Sequence, residues 1–396
     1  MTSLNQSGES KKAKGNSNNG SIRQRSSGNW ELRWYGPAGL DGKRKRLSQI
    51  FKGNKKQATA KLRHLLKAVD DNNHVDKSKE TVSSLMSRFM KGHVGKNCTL
   101  RTAQGYRGYI EGYIDPTIGS IPFQELTADQ IDDLYDHMVG ERGLSNTTVI
   151  QLHRILRKAF AWAIKTKRTV WNPADGATPP KKRQHHVKVW DVPTIHQFLE
   201  LSQDTRFGYV YKFALSTGMC RSEIAGLKWG AVDLPAGDGE KGNLSVVSVL
   251  HRIEGYGLVE AEPKTEGSRR SIRLSPQTVD LLRAVRGTQE LQKLEYGPLW
   301  QNTGFVFTHP NGTPLIPDQI TQDFASLVKR FDLPHLTFHG LRHAYATLAL
   351  KQNIHPKIVS EALGHSKIGI TMNLYSHVIP GMQDELADAV SDVLSG

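Results

Sequence analysis

The first patterned stretch of the chain alternates. Trp30, Leu32 and Trp34 are apolar while Glu31 and Arg33 are charged, a period of two that predicts a β-strand. Turn chemistry follows from Gly36-Pro37 to Gly42. Lys43 to Arg46 then leads into Leu47, Ile50 and Phe51, a second predicted strand. Past Gly53-Asn54 the period lengthens, and Ala58, Leu62, Leu65, Leu66 and Val69 share one face of a predicted helix. These elements make a small α+β unit over residues 29–72. Its exposed sheet face carries Arg33, Arg44 and Arg46, which suits a ribbon entering a DNA groove as well as it suits a solvated basic hairpin.

Asp70 to Lys79 is polar and reads as a linker. Helical spacing then dominates residues 80–170. Thr81 caps a helix with Val82, Leu85, Met86 and Phe89, and Thr99 opens another with Ala103, Tyr106, Ile110 and Tyr113. Thr127 and Gln130 form a capping box before Ile131, Leu134 and Met138. Ser145 opens a long helix through Val149, Leu152, Leu156, Phe160 and Ile164. Arg101, Arg107, Arg154, Arg157, Lys158, Lys165 and Lys167 lie between these apolar positions and predict a basic face. Surface charge often serves only solubility, but a helical body without a catalytic constellation reads as a binding module. The stretch 171–186 contains Pro179-Pro180 and Lys181-Lys182-Arg183, and reads as an inter-domain linker.

The last domain, 187–396, is predicted to be mainly helical with one β-meander. Pro193–Leu201, Tyr209–Ser216, Arg221–Trp229, Val279–Val285, Thr321–Phe331, Gly340–Lys351 and His355–Leu363 read as helices. Leu244–Leu250, Gly257–Glu262 and Ser271–Leu274 read as strands, with Lys264 to Arg270 as the turn between the last two. Beyond Tyr375, Leu386, Val390, Val393 and Leu394 form an apolar helical face, suited to packing on its own domain or on a neighbouring protomer.

A length of 396 residues exceeds one ordinary core and predicts two or three domains. Mean hydropathy of −0.48 and the absence of any apolar run near the ~20 residues that span a bilayer predict a soluble protein, not a membrane one. Residues 1–28 are rich in Ser, Asn, Gly and Lys and read as a flexible basic tail without the apolar core of a signal peptide. Only Cys98 and Cys220 are present, which excludes a disulfide scaffold and fits a reducing, cytoplasmic compartment. Lys plus Arg is 53 against 38 for Asp plus Glu, a net charge of +15. Such a balance favours polyanions, with nucleic acid ahead of membrane because no basic amphipathic helix stands out.

The densest chemistry runs from His339 to Tyr375. His339, Arg342 and His343 sit at i, i+3 and i+4 on one helix face, followed by Leu363-Gly364-His365 and then Tyr375. A phenolate can attack phosphorus, Arg can neutralise non-bridging oxygens, and His can move protons near neutral pH. The spacing of His335, His339 and His343 also admits a zinc reading. That reading is disfavoured: Pro334 and Thr337 place His335 in a loop, the intervening residues include no acidic group, and Arg342 opposes a metal cation. Gly364 is a helix C-cap, which puts His365 on a turn. No cofactor and no metal are called for.

Together, His339-x-x-Arg342-His343, Leu363-Gly364-His365 and Tyr375, ten residues beyond His365, resemble the signature of the tyrosine recombinases, the phage-integrase family. The resemblance extends to Leu215-Ser-Thr-Gly-Met-Cys-Arg-Ser-Glu-Ile-Ala-Gly-Leu-Lys-Trp229 and to Pro263-Lys264-Thr-Glu-Gly-Ser-Arg-Arg-Ser-Ile-Arg-Leu274. It is close from residue 187 onward. It implies a multidomain fold, mainly α with small β-sheets: an α+β N-terminal arm-binding domain, a helical core-binding domain and a mixed α/β catalytic domain. It implies cleavage and rejoining of DNA in integration and excision of a phage or mobile element, through a 3′-phosphotyrosyl intermediate. Tyr375 is then the nucleophile, Arg342 the phosphate clamp, His339 the proton acceptor, His365 a phosphate hydrogen-bond donor, and Lys264 the acid for the 5′-oxygen. His343 has a supporting place. The implied partners are double-stranded attachment-site DNA, a homotetramer on it, a directionality factor and a host DNA-bending protein.

One position departs from the family pattern. Its first catalytic Arg falls three residues after the Thr of Thr217-Gly218, and that position is Cys220, with Arg221 next. Adjacent helical residues point about 100° apart. A weakened enzyme, an engineered substitution and a displaced helix start that lets Arg221 serve all fit the sequence. A relative that binds DNA without catalysis, as regulator or relic, is the rival reading, and a relaxing topoisomerase with the same chemistry is a third.

Overall fold

The structure is a computed structural model, and it describes residues 20–38, 43–70, 75, 77–182, 188–365, 368–375 and 391–392. The chain divides into two compact units, Met1–Arg183 and Gln184–Gly396.

The first unit opens with an antiparallel sheet of β1 (Ser21–Ser26), β2 (Asn29–Ala38) and β3 (Arg44–Lys52), in that order. Helix α1 (Lys55–Asp70) covers one face. The period-two pattern of β2 works as expected. Leu32 and Trp34 are buried against Ala58 and Leu62 of α1, while Arg33 pairs with Ser48, and Tyr35 with Arg46, on the other face. The expected tail over 1–28 needs correction, because β1 forms within it. Its ladder with β2 is made by backbone groups, in the register Ser21↔Arg33 and Ile22↔Leu32. A single apolar side chain, Ile22, packs on the core, so composition carried almost no signal. Residues 1–19 lie outside the described residues.

The helical body contains α2 (Val82–Phe89), α3 (Leu100–Tyr109), α4 (Ala128–Gly140) and α5 (Asn146–Lys165). Their N-caps are Thr81, Thr99, Thr127 and Ser145, each accepting a backbone N–H three residues on. Helices α2 and α3 each run on into a π-helical turn, Met90–Val94 and Ile110–Ile114. The wider turn re-phases the apolar stripe, so that Phe89 and Val94, five residues apart, both reach the core.

The expected linker is also different. Ala174 and Ala177 are buried in the helical core. Thr178 N–H donates to Asp132 (2.7 Å), and Asn146 Nδ2 donates to the Lys181 carbonyl (2.9 Å). The Pro-rich strap to residue 182 therefore belongs to the helical body, which takes up its backbone groups. Residues 183–187 lie outside the described residues.

The second unit begins with α6 (Val192–Ser202), α7 (Gly208–Thr217) and the short α8 (Arg221–Ala225). Strands β4 (Val232–Asp233), β5 (Gly242–Val246), β6 (Val249–Ile253), β7 (Gly257–Ala261) and β8 (Arg270–Leu274) follow. They form a sheet in the order β4-β5-β8 and a separate β6-β7 hairpin, not one meander. The break falls at Ser248, whose hydroxyl donates to the Gly226 carbonyl (2.6 Å). Gly226 abuts the backbone of Val249, where a Cβ would lie 2.8 Å away, and α8 stops just before it rather than reaching Trp229. Helices α9 (Pro276–Tyr296), α10 (Pro317–Arg330), α11 (Phe338–Lys351), α12 (Pro356–Leu363) and α13 (Ile368–Tyr375) complete the unit. Trp190, Phe198, Tyr211, Phe324 and Phe338 form its aromatic centre, against which α7 and α11 pack. Truncating a ring there, as in Phe324→Ala, costs about 3–5 kcal/mol. The apolar face at Leu386, Val390, Val393 and Leu394 lies outside the described residues.

Candidate active site

The site starts from two helix ends. Helix α7 closes on Gly218 with φ 64°, and α12 closes on Gly364 with φ 69°, a left-handed conformation that favours glycine. At Gly364 the His365 N–H returns to the Ser360 carbonyl (3.0 Å) and the Gly364 N–H to that of Glu361 (2.9 Å), the paired bonds of a Schellman cap. Such ends leave carbonyl oxygens without helical partners. Arg342, on the second turn of α11, fills both needs: Nη1 donates to the Gly218 carbonyl (2.8 Å) and Nη2 to the Leu363 carbonyl. The guanidinium is buried and sits at the negative ends of two helix dipoles.

Beside it lies a buried carboxylate. Glu223 of α8 receives Arg270 in a two-pronged pair, Nη1 to Oε1 at 2.7 Å and Nη2 to Oε2 at 3.0 Å. Its Oε2 also accepts the Cys220 N–H (2.8 Å) and lies 3.7 Å from Arg342 Nη1. Burial alone pushes this carboxyl up, but the Arg270 hydrogen bonds and the Arg270 and Arg342 charges outweigh it and hold it below the usual carboxylate range.

Cys220 is the N-cap of α8, and burial, then the Glu223 charge, push its thiol up to about 11. At neutral pH it is an uncharged thiol beside Arg342. Arg221 points elsewhere, donating to Thr321 Oγ1 (2.8 Å) and pairing with Asp318 (2.9 Å) on α10. The displaced helix start that would bring Arg221 to the clamp is not formed. The reading of Arg221 as a clamp residue is therefore corrected: the register of α8 turns it toward α10.

The imidazoles cluster around the clamp. His339, in the first turn of α11, and His343 meet edge to face with centroids 4.7 Å apart. Protein around the ring, and then the Arg342 charge, lower His339. Burial, then the charges of His339, Arg342 and His365, lower His343 to about 4. Burial, Arg342 and Arg270 bring His365 to about 4 as well. All three are neutral rings at pH 7, fit to donate or accept one proton. His365 Nδ1 lies 2.8 Å from Oγ1 of buried Thr371 on α13. Thr371 is one turn before Tyr375, which ends that helix. The Tyr375 side chain lies outside the described residues. Lys264 is exposed in the loop between β7 and β8. The Gly267 carbonyl of that loop lies 3.0 Å from where a Cβ on Gly364 would be, which seats the loop against the turn holding His365.

Among the described residues no group of His, Cys, Asp or Glu is placed to hold a metal ion, and no helix is long and apolar enough to cross a membrane.

The Phage integrase family matches residues 187–381, and the phage integrase SAM-like domain matches residues 81–179. The chain belongs to the phage integrase family of tyrosine recombinases. It is 27% identical over 374 residues to a tyrosine recombinase XerC-like protein of Caldanaerobacter subterraneus subsp. tengcongensis, covering 90% of this chain and 94% of that one. It is 26% identical over 297 residues to the ICEBs1 integrase of Bacillus subtilis, covering 74% and 77%. Among solved structures it resembles the Tn1549 transposon integrase in complex with transposon right end DNA, with a TM-score of 0.65 and 23% identity over 80% of this chain and 100% of that one. A lambda integrase tetramer bound to a Holliday junction matches with a TM-score of 0.55 and 14% identity, over 89% and 94%. Both likenesses are of fold.

Within this recombinase fold, three participants had no role in the sequence reading. Glu223 and Arg270 sit inside quoted motifs but gain meaning only when α8 and β8 are brought together. Thr371 shows a signal in retrospect, since it stands four residues before Tyr375 and six after His365. The basic face of the helical body is present: Arg154, Lys158, Lys165 and Lys167 are exposed, with Lys158 5.6 Å from the Tyr106 ring centroid. Arg157 is exposed but paired with Asp175 at 2.7 Å.

Proposed function

We propose that the chain is a site-specific DNA recombinase that integrates and excises a phage or mobile element. Tyr375 attacks the scissile phosphorus, a 3′-phosphotyrosyl bond forms, and the 5′-oxygen leaves with a proton from Lys264. Arg342 clamps the non-bridging oxygens as their charge grows. Neutral His339 accepts the phenol proton, which a group of pKa ~10 does not shed unaided at pH 7. His365 donates to the phosphate, and His343 supports His339. The phosphotyrosyl ester conserves the energy of the broken bond, so rejoining needs no ATP and no metal. The observation that carries this reading is Arg342 held on two helix ends, with His365 tied through Thr371 to the helix that ends at Tyr375.

In this reading the sheet-and-helix unit over 29–72 reads arm-type sites, the helical body of 80–170 holds the core site, and 187–396 is the catalytic domain. The partners are double-stranded attachment-site DNA, three further copies of the chain, a directionality factor and a host DNA-bending protein, in the cytoplasm. Phosphate contacts supply most of the affinity, with a steep dependence on salt.

The test is trapping. The full chain is incubated with nicked duplexes selected for binding from a random library, and covalent protein–DNA adducts are resolved by denaturing electrophoresis. An adduct that is lost in Tyr375→Phe is expected. Undiminished adduct in Tyr375→Phe sinks the assignment. Cys220 favours a second reading, a DNA-binding relative with impaired catalysis. Tight, site-specific binding without adduct at any protein concentration is its outcome.

A further inference from the structure

Arg270 is the first residue of β8, where the Lys264 loop ends, and its side chain is 6% exposed. It joins three segments. Two nitrogens hold Glu223 of α8, Nε donates to the Ala362 carbonyl near the end of α12 (2.6 Å), and Nη1 reaches the Ser268 carbonyl of its own loop (3.3 Å). Glu223 thus meets two guanidinia, but unequally. Arg270 takes both oxygens at hydrogen-bond distance, while Arg342 stands at 3.7 Å. The neighbouring position offers only the neutral Cys220 thiol.

We propose that Arg270 is a positioning residue for phosphate binding: by engaging Glu223 on both oxygens it keeps that carboxylate from capturing Arg342, and so leaves a net positive charge for the scissile phosphate. Two guanidinia and one carboxylate sum to a single positive charge. Without Arg270 the same group sums to zero, and Glu223 is free to swing onto Arg342. A second cation at position 220 would make that balance less critical. Cys220 makes Arg270 indispensable. The proposal rests on Arg342 being the phosphate clamp.

The experiment uses the full chain with inorganic phosphate as the probe, read from the ring resonances of His365 during titration. Arg270→Gln weakens phosphate by tenfold or more. The double variant Arg270→Gln/Glu223→Gln, which removes both charges, returns the affinity to within about threefold of the parent. A part limited to packing or hydrogen bonding predicts no such return, because the double variant has lost the same ion pair. Wild-type affinity in Arg270→Gln, or a double variant as weak as the single one, overturns the proposal. If Arg270→Gln does not fold, Arg270→Lys, which keeps the charge, binds phosphate within about threefold of the parent, and a loss of tenfold or more there overturns the proposal too. Failure of the clamp reading itself looks different: Arg342→Gln then binds phosphate like the parent.

Discussion

Among the described residues, two of the clusters that set one carboxylate between two arginines differ in what surrounds the arginines. On the outward face of the N-terminal sheet, Glu31 accepts from Arg25 (3.0 Å) and Arg33 (2.9 Å). In the second unit, Glu223 sits between Arg270 and Arg342. The two carboxylates are equally covered, each with its side chain 8% exposed. The arginines are not: 57% and 29% exposed on the sheet, 6% and 10% in the site. On the sheet, hydrogen bonds from Arg33 and Arg25 dominate and hold Glu31 at about 2. In the site, burial is the largest influence on Glu223 and opposes its charge, so the ion pairs must first overcome it. The exposure of the partners, more than that of the carboxylate, decides whether such a cluster is a surface ornament or a fixed charge.

Removing the carboxylate separates the two most strongly. Glu223→Ala leaves two buried guanidinia facing each other and costs about 3–5 kcal/mol of stability by urea denaturation. Glu31→Ala leaves two arginines that turn into water, and its denaturation midpoint moves far less. Equal shifts would erase the distinction.

Adding a cation sharpens the comparison further. Cys220→Arg places a guanidinium beside Arg342, and adduct formation rises by about 10²–10³, the scale of one lost transition-state donor. Arg221→Ala, on the α10 side, leaves cleavage within a few-fold. A strong loss in Arg221→Ala without gain in Cys220→Arg contradicts the placement of both residues.

The smallest contrast appears with acid. His343 and His365 bind protons more readily unfolded than folded, so their contribution is complete above about 6.5 and is lost as pH falls from there toward 4. After discounting for solvent screening, His343 accounts for about 1–2 kcal/mol of that loss, and His343→Gln flattens the pH–stability curve by this amount. Glu31 keeps its full contribution down to about 4.3, and loses it only as pH drops from there to about 2. Amide exchange at pH 5 therefore quickens around α11 before it quickens in the N-terminal sheet. The reverse order contradicts the titration of the buried rings.

The sequence showed most where a local rule operates. The alternation in β2, the caps at Thr81, Thr99, Thr127 and Ser145, and the glycine stop after Leu363 are each set by neighbours within a few residues, and each formed as read. It showed least where distant segments decide. Ile22 gives β1 no pattern, yet β2 supplies the ladder. The stretch Leu244–Leu250 looks like one strand until Ser248 bonds Gly226 across a gap of 22 residues. In the site, His339, Arg342 and His365 stood out because imidazoles and a guanidinium gather in one short stretch at a telling spacing. Arg270 did not, because a hairpin with several arginines resembles any solvated turn. Only burial against Glu223 distinguishes it from Arg269, whose guanidinium is 52% exposed and pairs with an exposed carboxylate.

The seat of Arg342 has one more consequence. Its described hydrogen bonds run to main-chain oxygens at Gly218 and Leu363, groups that every amino acid carries. Substitution at Leu363 that preserves the backbone path leaves its oxygen in place, so that contact is insured against a change of the side chain there. Position 220 has no such insurance, since a charge there depends on the identity of one residue. The vulnerable points of the seat are the two left-handed turns. At Gly218 a methyl group would lie 2.5 Å from the Tyr345 ring, so even alanine dislodges the carbonyl that holds the clamp.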